Sequence, residues 1–257
     1  MSNNNPYEDY KYNSTYVEFD NDDVISGYDK PRDNGNTNIL DMNGILVKSF
    51  LFMFIALIVT GVVAMYVASN DSLVSSIFMG AGLWVIIGIE LAMLFLSTFA
   101  MSKENVPLSI IGFFGYSVCT GLTFSGIFAW YSIGSISHAF VITAVLFLLM
   151  AVYGLITKRE MNKFGDFAVM ALLGVIAVSV VNLFIGSSSV DWFISVITVV
   201  LFLGITAWDT KRIREMAEVE MSENSKTILG LWGAMQLYLD FINIFLKLVR
   251  LLGRSDD

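Results

Sequence analysis

Three carboxylates lie in or at the edge of long apolar stretches of this sequence: Glu90, Asp209 and Asp240. An ionised group inside a membrane costs several kcal/mol unless it is paired, hydrated or neutralised by a proton. If Asp209 and Asp240 came together there, they would share a proton and titrate as one coupled pair. The two aspartates are therefore a candidate pH-sensing site.

Each aspartate also has a purely structural interpretation. Asp209 could sit at the membrane interface, paired with Arg212 or Arg214 one turn away, and Asp240 could be neutralised by Lys247 two turns along the same helix face. By residue counting, Asp209 ends its span at a helix C-terminus near the membrane surface, and Asp240 lies about 10 Å deeper. Periodicity alone therefore does not bring the two carboxylates together.

The last apolar stretch, residues 230–253, carries a polar stripe. Its polar side chains recur at spacings of 4, 3, 4 and 3, which places them on one helix face: Gln236, Asp240, Asn243, Lys247 and Arg250. Such a stripe cannot face lipid, so it must face other helices or water inside a bundle. We therefore predict that this helix is the centre of the molecule.

The composition is that of an integral membrane protein. Of the 257 residues, 56% are hydrophobic and only 15% are charged, and a membrane-spanning helix needs about 20 apolar residues. We predict seven spans, at residues 45–68, 77–100, 108–131, 138–156, 167–185, 192–208 and 230–253. The predicted fold is all-α, and residues 44–254 form one membrane domain.

The acidity of the chain belongs to its N-terminal region. The net charge is −8, and residues 1–43 hold nine acids and three bases, a net charge of −6. This region is rich in Asn, Asp, Ser and Tyr and has no apolar period, so we predict a disordered tail. Its tyrosines could dock a partner, but a solubilising role is favoured.

Basic residues alternate between the predicted loops. The loops after spans two, four and six contain Lys and Arg, beginning with Lys103, whereas those after spans one, three and five contain none. By the positive-inside rule the N-terminus is cytoplasmic. A crossing seventh helix would put the C-terminus outside, although Lys247, Arg250 and Arg254 cluster there. Crossing is favoured, and re-entry is the alternative.

Three segments resemble the Bax inhibitor family, the transmembrane Bax-inhibitor-motif proteins with bacterial members of the YccA type. They read YGLITKREMNKFGDF, FLGITAWDTKRI and GAMQLYLDFINIFLKLVRLLG. Together with the seven-span layout, the similarity covers residues 44–254. The resemblance implies six helices around a central seventh, a location in the bacterial plasma membrane and a proton-sensitive calcium leak.

The resemblance also implies roles for individual residues. Asp209 and Asp240 occupy the positions of a hydrogen-bonded pH sensor, where calcium would bind weakly and transiently, and Glu90 resembles the acidic residue of the second span. A basic latch closes the pore in bacterial members, and Lys103 is the nearest base here, although a lysine latch would be weaker than an arginine one. Glu90 could equally anchor helix packing. No cofactor is implied, since calcium is the permeant ion.

Other classes of protein fit less well. The chain has no glycine-rich phosphate loop of an ATP-driven pump, and it lacks the Gly-x-Gly-Asp element of intramembrane aspartyl proteases before Asp209, so we predict no enzyme activity. The alternative is a non-transporting regulator that binds a membrane-anchored protease or cell-death machinery. The predicted partners are lipid, calcium and protons, with no nucleic acid.

Overall fold

The computed structural model describes residues 34–253, with side chains from Met42 onward. These residues form helices joined by short loops, and no strand occurs among them. The helices are α1 (Asn34–Ala68), α2 (Asp71–Phe78), α3 (Gly82–Ser102), α4 (Val106–Phe124), α5 (Ile127–Trp130), α6 (Ile133–Ile156), α7 (Asn162–Ile185), α8 (Ser188–Ala217) and α9 (Glu223–Leu252).

Seven of these helices are long and apolar enough to cross a membrane, which confirms the predicted all-α, seven-span fold. Two short helices lie among the spans: α2 precedes α3, and α5 continues the third span after α4. The second span begins later than the predicted residue 77, because the chain first forms α2 and then turns at Gly80, whose φ of +82° favours glycine. The span itself starts at Gly82.

Helix α9 lies at the centre of the bundle, as the polar stripe predicts. In its most apolar 18-residue window 72% of the residues are buried, against 11–50% in the other six spans. Leu231, Leu237, Tyr238 and Ile244 have no exposed surface. The helix runs for 30 residues without interruption, or about 45 Å, which exceeds the hydrocarbon thickness of a bilayer. It is therefore long enough to cross the membrane, and crossing stays the favoured hypothesis over re-entry.

The boundaries of the last two spans correct the sequence analysis. Helix α8 continues nine residues past Trp208 to Ala217, and α9 begins seven residues before residue 230. The prediction that Asp209 lies at a helix C-terminus is therefore wrong. Two further helical turns separate Asp209 from the end of α8, and its side chain is buried.

Ion pairs and carbonyl contacts explain why α8 stays helical through its charged segment. Lys211 pairs with Glu215 one turn along, with Nζ and Oε1 3.1 Å apart. Lys211 also donates to the carbonyl oxygen of Arg159, and Arg214 donates to that of Leu155. Cations thus satisfy carbonyl groups at and just beyond the C-terminus of α6 and hold that end against α8.

The predicted acidic tail lies mostly outside the described residues. Helix α1 begins at Asn34, so residues 34–43, which the sequence analysis assigns to the tail, belong to this helix. Residues 1–33 are outside the described range, as is Arg254. The predicted disorder of the tail therefore stays a prediction.

The two ends of the bundle differ in charge. The loops that follow α3, α6 and α8 share one end, which we call the basic end. Among the described side chains, the lysines and arginines lie in the half of the bundle at this end, apart from Lys247 and Arg250. These two lie near the C-terminus of α9, at what we call the opposite end. Which end faces the cytoplasm stays a prediction from the positive-inside rule.

Candidate functional site

Helices α8 and α9 bring Asp209 and Asp240 together in the core of the bundle. Their residues are only 2% and 3% exposed, and their charges are close enough to interact. Asp240 also lies beside the side chain of Thr206, one turn before Asp209. The two carboxylates are therefore neighbours, which depth counted from the wrong end of α8 did not predict.

Each carboxylate has one buried oxygen without a hydrogen-bond donor in the described part of the chain: Oδ1 of Asp209 and Oδ2 of Asp240. An ionised oxygen left in this way is costly, because nothing replaces the water that it loses on burial. A proton on either carboxyl would lower that cost. The pair is therefore a candidate proton-binding site.

Helices α6 and α8 pack closely together on one side of the aspartate pair. Gly154 of α6 lies against the carbonyl oxygen of Ala207, at a distance that leaves no room for a β-carbon. Thr210 is fully buried, and its hydroxyl donates to the carbonyl oxygen of Thr206 at 2.7 Å. The backbones of α6 and α8 thus exclude water from this side of the pair.

Arg212 is the base whose charge acts on Asp209. Its guanidinium carbon lies 5.3 Å from the ring centre of Trp208 and 5.1 Å from that of Trp232 on α9. Arg214 does not take this role, because it donates to a carbonyl oxygen of α6. The guanidinium of Arg212 therefore lies against both indole rings and links α8 to α9 beside the aspartates. Each such contact at an exposed site contributes about 0.5–1 kcal/mol.

A cavity of about 660 Å³ opens beside Arg212 at the basic end, with Glu104, Ser225 and Trp232 in its wall. The ammonium nitrogen of Lys103, the predicted latch, is 5.8 Å from the ring centre of Phe99. Arg212 is the base whose charge acts on Asp209 in this structure, and the latch role of Lys103 stays a prediction.

The members of the polar stripe divide between several environments. Asp240 is buried, whereas Gln236 and Asn243 are half-buried, and Asn243 donates to the carbonyl oxygen of Leu239 at 2.7 Å. Lys247 lies toward the opposite end of α9, two helical turns from Asp240. The charges that act on Lys247 come from Arg250 and Asp191, so the structure does not pair it with Asp240.

Glu90 is placed in a second polar cluster. Its two carboxylate oxygens accept hydrogen bonds from Thr120 at 2.8 Å and from Thr123 at 3.1 Å, both on α4. These bonds hold α3 against α4, so Glu90 has the contacts of a packing anchor. The half-buried carboxylate also keeps oxygen lone pairs that a passing cation could use.

Tyr238 connects this cluster to α9. Its hydroxyl lies 2.7 Å from that of Thr60, which itself donates to the carbonyl oxygen of Ser117, so Tyr238 is the donor in the first bond. The charge of Glu90 reaches Tyr238. Tyr238 and Asp240 are two residues apart, about 200° around the helix, so α9 carries a polar group toward each cluster.

The sequence analysis identified neither the hydroxyl groups beside these acids, namely Thr120, Thr123 and Thr206, nor the bond between Thr60 and Tyr238. The sequence did indicate that these side chains make contacts, because hydroxyl groups in apolar spans usually bond to a neighbouring helix or to their own backbone. Periodicity could not say which of them face an acid. Among the described residues, no three acidic, histidine or cysteine side chains converge to hold a metal ion.

The fold and the site are those of an integral membrane protein that has seven spans and ionisable groups buried around its last helix. The chain belongs to the Bax inhibitor family, since the family described as "Inhibitor of apoptosis-promoting Bax1" matches residues 42–257. This result confirms the resemblance seen in the three sequence segments.

Bacterial relatives extend the similarity over most of the chain. The inner membrane protein YbhL of Escherichia coli (strain K12) is 35% identical over 211 residues, which cover 81% of this chain and 90% of YbhL. A protein of Borreliella burgdorferi is 36% identical over 218 residues, covering 84% and 94%. A membrane protein of Streptococcus pyogenes serotype M1 is 37% identical over 171 residues, covering 65% and 72%.

Proposed function

We propose that this protein is a pH-sensitive calcium leak channel, gated by a proton that Asp209 and Asp240 share. The observation that carries the proposal is the burial of both carboxylates, each with one oxygen that lacks a donor in the described chain. In so dry a site, adding or removing one negative charge changes the electrostatic energy far more than it would in water. Proton binding can therefore bias the packing of α8 against α9.

The sign of the pH response follows from Arg212. When Asp209 is ionised, the positive charge of Arg212 attracts it, and the same guanidinium stacks on Trp232 of α9. Protonation of Asp209 removes the attraction and loosens the contact between the two helices. Mildly acidic pH then favours the open state. In this proposal Arg212 makes the closing contact, and Lys103 is the second candidate for a latch.

Calcium fits the chemistry of the acids. It is a hard cation that prefers oxygen ligands, and a tight site takes six to eight of them. Two aspartates and water would give a weaker and more transient site, as permeation requires, and Glu90 would attract the ion at a separate point on the route. The proposal is therefore for an ion that passes through rather than a resident metal.

Calcium uptake into vesicles that contain the purified protein tests the proposal. Uptake should rise as the pH falls from about 8 to about 5, because burial and a second carboxylate nearby both favour proton binding by the pair. Protein-free vesicles and an Asp166→Asn variant, which alters an exposed aspartate of α7, are the controls. If folded protein gives no more uptake than protein-free vesicles, the channel proposal fails and the regulator hypothesis takes its place.

Glu90→Gln is expected to lower calcium uptake several-fold while the protein stays folded. Glutamine keeps an oxygen that can accept from Thr120 or Thr123, but it removes the negative charge that attracts the cation. The measurement is uptake at fixed pH together with a thermal unfolding curve, with the exposed Glu160→Gln as the control. Unchanged uptake combined with a lower melting temperature would instead assign Glu90 to helix packing.

A further inference from the structure

A polar pocket of about 430 Å³ lies at the opposite end of the bundle, between α7, α8 and α9. Its wall includes Asn182, Ser187, Asp191, Lys247 and Arg250. It is separate from the aspartate pair, because Lys247 is about two helical turns beyond Asp240 on α9. The proposed channel function assigns no role to this pocket.

The charges in the pocket leave one positive charge unbalanced. Arg250 pairs with Asp191, with Nη2 and Oδ2 2.6 Å apart. Lys247 is half-buried, and its charge interacts with both of these residues. Within the described chain, Lys247 itself forms neither an ion pair nor a hydrogen bond. Among the described residues that line the pocket, two cations and one carboxylate give a net charge of about +1.

The N-terminus of α8 adds to this positive potential. Asn182 fixes the loop before the helix, since its side chain accepts from the backbone N–H of Ser187 and donates to the carbonyl oxygen of Ser187, both at 3.2 Å. Ser187 then caps the helix by accepting from the N–H of Val190. The first N–H groups of this 30-residue helix, beginning at Ser188, have no partner within the helix and carry the positive end of its dipole.

An exposed tryptophan beside the pocket indicates that it lies at the depth of lipid headgroups. Trp192 follows Asp191 in the first turns of α8, is 53% exposed and stacks edge-on against Phe193. Exposed tryptophans near the ends of membrane helices sit at the interface between headgroups and hydrocarbon. A ligand that reaches this pocket from the bilayer therefore presents its headgroup, not its acyl chains.

We propose that this pocket binds the phosphate group of a phospholipid with a net negative charge. Lys247 supplies the unbalanced charge, and the backbone N–H groups at the start of α8 supply donors of the kind that bind phosphate. A zwitterionic phospholipid fits less well, because its ammonium group would have to compete with Arg250 for Asp191. A lipid bound here would contact α7, α8 and α9 together.

Native mass spectrometry of the purified protein in detergent tests this site, with phosphatidylglycerol and phosphatidylethanolamine supplied in equal amounts. The unmodified protein should retain phosphatidylglycerol preferentially. Lys247→Gln should reduce that preference by about fivefold, the usual effect of one basic residue near an anionic lipid surface. Lys158→Gln, which removes an exposed charge at the basic end, should leave the preference unchanged.

A second measurement keeps the proposal testable if Lys247→Gln does not fold. Raising the salt concentration should weaken the preference of the unmodified protein, because salt screens charges at the headgroup level. Equal retention of the two lipids would overturn the proposal, as would a loss in Lys158→Gln as large as that in Lys247→Gln. Binding of inorganic phosphate without any lipid preference would assign the pocket to free phosphate and also overturn it.

Discussion

Asp209→Asn is expected to leave a calcium leak that no longer responds to pH. Asparagine is neutral at every pH, so the variant mimics the protonated aspartate and loses the attraction of Arg212. If that attraction contributes about 1.4 kcal/mol to the closed state, uptake at neutral pH should rise about tenfold, toward the level of the parent protein at acidic pH. Uptake by the variant should be the same at acidic, neutral and alkaline pH.

The measurement is calcium uptake into vesicles at several pH values, with Asp166→Asn as the matched control. That control makes the same chemical change on the surface of α7, where no described contact links it to the pair. A variant that folds and keeps the parent's pH profile would show that Asp209 is not the sensor. Low uptake that does not change with pH would show instead that Asp209 is needed for permeation.

Asp240→Asn is expected to shift or abolish the pH response and to lower uptake as well. Asp240 is the deeper carboxylate, beside Thr206, so its loss removes negative charge from the middle of the membrane. In a dry site, one carboxylate fewer should reduce cation passage by about tenfold or more. The variant therefore differs from Asp209→Asn, in which uptake increases.

The double variant separates a coupled pair from two independent sites. If the aspartates share a proton, the combined effect on the pH profile will be smaller than the sum of the two single effects, because either change already destroys the pair. Additive effects would mean that the two carboxylates titrate independently. That result would contradict the shared-proton mechanism while leaving each aspartate a place on the ion route.

The sequence predicted the seven spans and the central position of α9, because apolar length and polar periodicity are local properties of the chain. It misplaced the end of α8. Hydropathy falls at Trp208, where charged residues begin, but the helix continues because Lys211 and Glu215 pair along it. Since depth was counted from the wrong helix end, the sequence could not place Asp209 beside Asp240.

The partners of the acids were also beyond the sequence. Arg212 of α8 contacts Trp232 of α9, and Glu90 of α3 accepts a hydrogen bond from Thr120 of α4. These contacts depend on the rotation and spacing of neighbouring helices, which residues far apart in the chain determine. Proximity in sequence favoured Lys103 as the latch, whereas the described contacts of Lys103 are with Phe99.

The central position of α9 has a consequence for how the protein is made. Helices enter the membrane in chain order, so the six surrounding spans are synthesised before the helix that they enclose. The hydrogen bond between the hydroxyl groups of Thr60 and Tyr238 cannot form until Tyr238, which lies 178 residues further along the chain, has been synthesised. Until then, Asp209 lacks the helix that carries Asp240, the other member of the pair. A polar helix therefore has to enter the middle of a bundle whose other six spans have already been made.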